Sequence, residues 1–157
     1  MKELLEYRSS LLDRLVDTAH EFRRACLAAD DAYEPFNTEG WNIHQIAAHT
    51  RDVDNLAYGL RARRTAAENN PEFQSFDGDV YMTEHYSASE PLNEILDSLV
   101  EQVESLAEML RGLPDEAWAR QSRHTTLGQG LTLQTWVERG LAHIEEHLVT
   151  IKKQKDE

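Results

Sequence analysis

Apolar residues recur every three or four positions along four long segments of the chain, the spacing that places them on one face of an α-helix. The segments run from residue 2 to about 29, from Asn42 to about Ala67, from Ser89 to Gly112 and from Thr132 to about Lys152. None of them shows the period-two alternation of a half-buried strand. We therefore predict an all-α protein built as a four-helix bundle.

Residues able to cap a helix mark the ends of these segments. Asn42 precedes the second segment and Gln45 follows three residues later, which is a variant of the capping box. Ser89 is the predicted cap of the third helix, and Gly112 is its predicted end. On the second helix, the residues predicted to face inward are Ile46, His49, Val53, Leu56, Ala57 and Leu60.

Two connections separate the predicted helices. Residues 68–88, between helices 2 and 3, carry scattered aromatic residues and turn signals but no sustained period. A connection this long usually has a function, and its aromatic residues predict that it packs on the bundle. Residues 119–131 are polar and punctuated by glycine. We predict one domain over residues 1–157.

Charge and cysteine content exclude several classes of protein. The chain has 29 acidic and 16 basic residues, a formal charge of −13, so we expect binding to neither nucleic acid nor membranes. It has no apolar run of the roughly 18 residues that a membrane span needs. Cys26 is the single cysteine and lies in an apolar stripe, which favours a buried thiol over a nucleophile. We expect a cytoplasmic protein whose partner is a small molecule.

Histidine is the residue type that carries candidate chemistry. His143 and His147 are one helical turn apart on the inward face of the fourth helix, the spacing with which a helix chelates a metal. His49 lies on the inward face of the second helix, whereas His44 is roughly 140° away around that helix. Three inward histidines are typical of a catalytic metal site with an open position. The alternative interpretation is a set of hydrogen-bonded core histidines.

Three segments resemble the DinB-like superfamily, which is also called YfiT-like. The stretch Trp41–His49, with tryptophan eight residues before histidine, is similar to the opening of that family's second helix. The segment from Thr132 through His143 and His147 is similar to its closing motif, and Arg123-His124 with Gly128 is similar to the part before it. The similarity in order and length covers nearly the whole chain.

This resemblance implies a four-helix bundle that holds a divalent metal through His49, His143 and His147. Neutral imidazoles suit zinc, nickel, iron or copper, and the resemblance implies a homodimer as the assembly. The lead hypothesis is an S-transferase that uses a low-molecular-weight thiol as cosubstrate. The alternatives are a metal-dependent hydrolase that uses metal-activated water and a non-catalytic metal-binding bundle.

Further residues are candidates for the site around the metal. Asp52, three residues after His49, is the candidate catalytic acid, although a solvated helix acid would look the same in sequence. Arg123 and His124, with Arg120, are candidates for binding an anionic thiol or substrate; the alternative is a tie to an acidic neighbour. Trp41 is the candidate wall of a substrate pocket, and a core position is its alternative. Tyr58, Tyr81 and Tyr86 share both interpretations.

Overall fold

The computed structural model describes residues 1–36 and 40–156. Its helices are α1 (Lys2–Leu27), α2 (Ile43–Val53), a π-helical turn (Asp54–Tyr58), α3 (Gly59–Ala67), α4 (Gly78–His85), α5 (Leu92–Arg111), a 3₁₀ turn (Asp115–Ala119) and α6 (Leu133–Asp156). Its strands are β1 (Glu72–Phe73), β2 (Gln121–His124) and β3 (Gly128–Thr132).

Four long helical rods form the predicted bundle. The second rod consists of α2, the π-helical turn and α3 in direct succession. Both α1 and this second rod pack against α5 and against α6, so the cyclic order around the bundle is α1, α5, second rod, α6. Large side chains from all four rods are fully buried between them, among them Phe22, Ile46, Leu96 and Trp136. The four-helix bundle is confirmed.

The π-helical turn adds one residue to the second rod. The backbone N–H of Gly59 donates to the carbonyl of Asp54, five residues earlier, instead of four as in an α-helix. In one regular helix, as the periodicity predicts, Leu56 and Leu60 would face inward. The expectation is wrong for Leu60, which is 41% exposed, while Arg61 is buried in its place; Leu56 is partly buried, and Val53 and Ala57 are buried as expected. Beyond the turn, the inward face is advanced by one position.

The connections contain a small sheet that the sequence analysis did not predict. β1 pairs in parallel with β2, and β2 pairs antiparallel with β3, so the strand order is β1-β2-β3. The pairing joins the connection after α3 to the connection before α6. These strands are too short, and too interrupted by a bulge between Ser122 and His124, to show alternation in the sequence. Residues 68–88 also contain the short helix α4.

The predicted helix caps are confirmed at one end and wrong at another. Asn42 and Gln45 form a complete capping box at the start of α2. Ser89 does not cap the third helix, because α5 begins at Leu92 and Pro91 precedes it in an extended conformation. A proline disfavours helical backbone in the residue before it, so Glu90 cannot belong to the first turn.

None of the helices in the described ranges is both long and apolar enough to cross a lipid bilayer.

Gly59 provides a test of the π-helical turn. A Cβ atom at this position would lie 2.6 Å from the backbone carbonyl oxygen of Asp54. We expect Gly59→Ala to lower the free energy of unfolding by about 1–3 kcal/mol, although alanine favours a regular helix by about 1 kcal/mol. Urea denaturation of both proteins measures the difference.

Gly112→Ala is the matched control. Gly112 ends α5 with a φ of −85°, and a Cβ there would meet its nearest atom at 3.6 Å, an ordinary contact. The control should gain about 0.4–1 kcal/mol through the unfolded chain. A Gly59→Ala protein that is stabilised like this control would contradict the role assigned to the turn.

Candidate metal centre

Three histidines from two helices meet on the inner side of the bundle. His49 comes from α2, and His143 and His147 come from successive turns of α6. One ring nitrogen from each can be chosen so that all three lie within 4.8 Å of one another. The Nε2 atoms of His143 and His147 are 3.1 Å apart. Two nitrogens bound to one zinc ion at 2.0–2.1 Å in tetrahedral geometry are about 3.4 Å apart, so small ring movements would close the site on one ion.

Burial keeps these imidazoles neutral at pH 7. Loss of hydration, together with the neighbouring His147 and His49, lowers the pKa of His143 to about 3. Burial also lowers the pKa of His147 to about 4, with His49 adding to the effect. The pKa of His49 is lowered by burial as well. Because a metal ligand must be deprotonated, the three neutral rings could bind an ion without first releasing protons.

Hydrogen bonding distinguishes this cluster from an ordinary buried histidine. His44 is fully buried, its Nε2–H donates to the carbonyl of Glu90 (2.7 Å), and its Nδ1 accepts from the hydroxyl of Tyr86 (2.6 Å). By contrast, the Nδ1 atoms of His49 and His143 are buried with no hydrogen-bond partner. The core-histidine interpretation therefore fits His44, which the helical geometry had separated from His49, and does not fit the cluster. The Nε2 atoms of His143 and His147 face each other instead of a protein acceptor, and an ion that accepts lone pairs fits this arrangement.

Aromatic and glycine residues hold the rings in place. Trp41 contacts His49 edge-on, with ring centroids 5.2 Å apart. Tyr58 lies 5.5 Å from His143, also between centroids. Gly78, the first residue of α4, lies so close to His49 that a Cβ there would come within 2.7 Å of its Cε1 atom. The start of α4 therefore covers one edge of the cluster.

The other predicted aromatic residues lie elsewhere. Tyr81 stacks on His85 with centroids 4.0 Å apart, and Tyr86 bonds to His44. Neither makes a ring contact with the three clustered histidines.

Asp52 lies near His49 without a hydrogen bond to it. Its carboxylate accepts from Nε of Arg51 at 2.9 Å. Its charge still reaches the cluster, because Asp79, Asp52 and Glu146 each act to raise the pKa of His49 against the larger effect of burial. The catalytic role of Asp52 stays a prediction.

Arg123 and His124 lie away from the three histidines. Arg123 donates to the carbonyl of Asn70 (3.0 Å) and pairs with Glu72, so it ties β2 to the segment that enters β1. His124 lies beside Trp136, with ring centroids 6.3 Å apart. Trp136 precedes His143 by seven residues of α6, or about 10 Å along the axis.

Arg120 has the same structural role as Arg123. It donates to the carbonyls of Thr65 (3.2 Å) and Glu68 (2.6 Å). Arg120 and Arg123, the two candidate anion-binding arginines, thus donate to backbone carbonyls in the last turn of α3 and just after it.

Arg61 is the residue that sequence reasoning missed. It is 7% exposed, its guanidinium lies 4.8 Å from the centroid of the Trp136 ring and 5.9 Å from that of Tyr58, and Nη2 donates to the carbonyl of Gln74. A regular helix would have placed it at the edge of the predicted inward face, about 80° from Val53. No local sequence signal marks the π-helical turn that brings it inward.

Comparison with known proteins agrees with this architecture. The model of the DinB superfamily matches residues 14–151. Among solved structures, YfiT from Bacillus subtilis superposes with a TM-score of 0.85 at 20% sequence identity, over 96% of this chain and 87% of that one. YfiT is described as a probable metal-dependent hydrolase with an unusual four-helix bundle topology. No curated protein sequence matches the chain.

At this identity the structural likeness concerns the fold alone, whereas the family match spans most of the sequence. The matched residues include the histidine motifs that first suggested the resemblance and at least part of each of the four helical rods. The chain belongs to the DinB superfamily.

Proposed function

We propose that this protein is a metal-dependent hydrolase of a small molecule, with one divalent transition metal ion held by His49, His143 and His147. The observation that carries the proposal is the convergence of three neutral, partly buried imidazoles whose nitrogens lie within 4.8 Å of one another. The description of YfiT as a probable metal-dependent hydrolase supports the same class of reaction. Imidazole donors suit zinc, nickel and iron.

Three protein ligands leave at least one coordination position for water or substrate. A divalent ion bound there would lower the pKa of a water molecule toward 7 and polarise a carbonyl group. The ligands themselves carry no charge, and Asp52, Asp79 and Glu146 direct negative potential toward His49. This potential favours a dication over a monovalent ion. Among these acids, Asp52 is our candidate for moving a proton.

Trp41 and Tyr58 shield the centre from bulk water. Trp41 contacts the ring of His49, and Tyr58 contacts the ring of His143. Because electrostatic interactions strengthen when water is excluded, these rings increase the effect of the ion on a bound substrate.

An S-transferase remains the alternative reaction. Cys26 is 1% exposed in the hydrophobic core, so a reactive sulfur would have to come from a cosubstrate. A metal centre can hold such a thiol as its thiolate. The contacts around the three histidines do not favour the thiol over water. Hydrolysis is our lead proposal because YfiT is described as a probable metal-dependent hydrolase.

Removing one ligand should abolish tight metal binding. We expect His147→Ala to lower zinc affinity by more than the about 100-fold that loss of an outer hydrogen-bond partner can cost. Competition with a chromophoric chelator and metal analysis of the purified protein measure this. His20→Ala on α1 removes an exposed histidine paired with Glu104 and should leave uptake unchanged. Equal uptake by all three proteins would reject the ligand assignment.

Acid should destabilise the metal-free protein. An unfolded histidine gains a proton near pH 6.5, whereas folded His143 and His147 stay neutral until about pH 3 and 4. The unfolded state therefore binds more protons in this window, and stability falls as pH falls, by up to roughly 2 kcal/mol per histidine at pH 5. Urea titrations at pH 7, 6 and 5 measure the slope.

His147→Gln supplies the comparison for this pH dependence. Removing one of the titrating rings should make stability depend less steeply on pH between 6.5 and 5. If the slopes of the wild type and the variant coincide, the histidines are not the groups responsible.

The reaction type is tested with zinc-loaded protein and a panel of small esters, amides and lactones, each assayed with and without a low-molecular-weight thiol. We expect turnover without thiol, and none from His147→Ala. Turnover that requires and consumes thiol would replace hydrolysis with S-transfer. A wild type that zinc stabilises against heat but that turns over nothing would favour the non-catalytic alternative.

A further inference from the structure

A group of nitrogen donors lies near Trp136, about two helical turns of α6 before His143. We call Arg61, His124 and Arg139 the Trp136 cluster. The guanidinium of Arg61 lies 4.8 Å from the centroid of the indole ring, and the ring of His124 lies 6.3 Å from it. Arg139 follows Trp136 by three residues on α6, so the two side chains are neighbours on the helix surface. The cluster thus unites residues of α3, β2 and α6.

Like charges approach one another in this cluster without an acid between them. After burial, the positive charges of Arg61 and Arg139 are the next causes that lower the pKa of His124. Arg139 also lowers the pKa of Arg61, where burial again is the largest cause. Within the described ranges, neither arginine forms an ion pair. In a chain with 29 acidic residues, carboxylates were available to neutralise this cluster, and none does so.

The donors of the cluster are largely unused. Arg61 has five N–H groups, and its one hydrogen bond goes to the carbonyl of Gln74 at 3.1 Å. Arg139 is exposed and makes no hydrogen bond to any described residue.

His124 contributes a third donor. Its Nδ1 accepts from the backbone N–H groups of Thr126 (3.1 Å) and Leu127 (3.2 Å). The ring proton is therefore on Nε2, which has no partner in the described part of the chain. Two charged donors and one neutral donor are the groups with which proteins bind carboxylate or phosphate.

A single aromatic ring separates this cluster from the histidines. The centroid of Tyr58 is 5.9 Å from the guanidinium carbon of Arg61 and 5.5 Å from the ring centroid of His143. Tyr58 approaches α6 this closely because residue 140 is glycine, where a Cβ would lie 3.2 Å from that of Tyr58. Arg139 precedes His143 by one helical turn. Trp136 and His143 are about 10 Å apart along the α6 axis, so a substrate of about that length would reach both places.

We infer that the Trp136 cluster binds an oxyanion group of the substrate, a carboxylate or a phosphate, while the bond to be hydrolysed lies at the three histidines. The anion bridges Arg61 and Arg139 and accepts a hydrogen bond from Nε2–H of His124. The substrate class is therefore small anionic molecules. The statement that the bond to be hydrolysed lies at the three histidines rests on the proposed hydrolase function. The anion site itself does not.

The anion site is tested on metal-free protein, without any assay of activity. The indole N–H signal of Trp136 is followed by ¹H–¹⁵N NMR during titration with glutarate, inorganic phosphate or neutral glutaramide at constant ionic strength. We expect a saturable shift with at least one of the two anions and none with glutaramide. The tighter anion identifies the group.

Trp118 is the internal control for this titration, because Arg8 lies 5.5 Å from its ring outside the cluster. Shifts at Trp118 therefore report unspecific binding of anions to an arginine beside an indole. Signals that move equally at Trp136 and Trp118, or that move with glutaramide, would overturn the site.

Arg139→Gln tests the cluster without disturbing a buried residue. We expect the Kd of the anion to rise about 10-fold, the usual effect of losing one charged hydrogen-bond donor. Arg24→Gln removes the same charge from an exposed position on α1 and should leave the Kd unchanged. If both variants raise the Kd of the anion equally, the change in net charge alone explains the loss of affinity, and the inference is rejected.

Zinc uptake separates this inference from the proposed function. Arg139→Gln should bind zinc as the wild type does, since it removes no ligand. Saturable anion binding by a wild type that takes up no zinc would retain the anion site and overturn its assignment to a metalloenzyme substrate. Zinc uptake without saturable anion binding would retain the proposed metal centre and overturn the anion site.

Discussion

One extra residue in the second rod determines which side chains meet α6. The π-helical turn Asp54–Tyr58 lies between His49 and Arg61, and it advances the inward face of everything after it by one position. Tyr58 and Arg61 consequently face the same part of α6 as Trp136 and His143. In an uninterrupted helix Leu60 would occupy this face, and the rod would offer only apolar surface there. The glycine at 59 permits the turn, because any larger residue would meet the carbonyl of Asp54.

Several buried polar groups that lack hydrogen-bond or charge partners lie at or beside α6, and their burial lowers the free energy of unfolding. His49 and His143 keep nitrogens without hydrogen bonds, and Arg61 is buried without a carboxylate. Such groups lower the stability of a folded chain, since water no longer compensates them. The apolar seams among α1, α5 and α6 supply the opposing free energy. His44, with both nitrogens bonded, shows that the same chain satisfies a buried histidine where no ligand is needed.

The sequence was sufficient for features that depend on local pattern. Helical periodicity predicted the four rods, Asn42 and Gln45 predicted a cap, and the spacing of His143 and His147 predicted a shared face. Features that depend on contacts between distant segments were not predictable in this way. The sheet pairs residues about fifty positions apart, and Arg123 is occupied by Glu72 and the carbonyl of Asn70. Arg61 was missed because a π-helical turn has no signature in hydrophobic periodicity.

The order of the rods around the bundle separates two tasks. Every side chain of the histidine centre and of the Trp136 cluster comes from the second rod, from α6 or from the connections beside them, whereas α1 contributes none. Packing of α1 is confined mainly to α5 and α6. Mutations on α1 can therefore accumulate under selection for folding alone, while the opposite half evolves under selection for chemistry. In a bundle divided in this way, substitutions that change the substrate can leave the packing of α1 in the core unchanged.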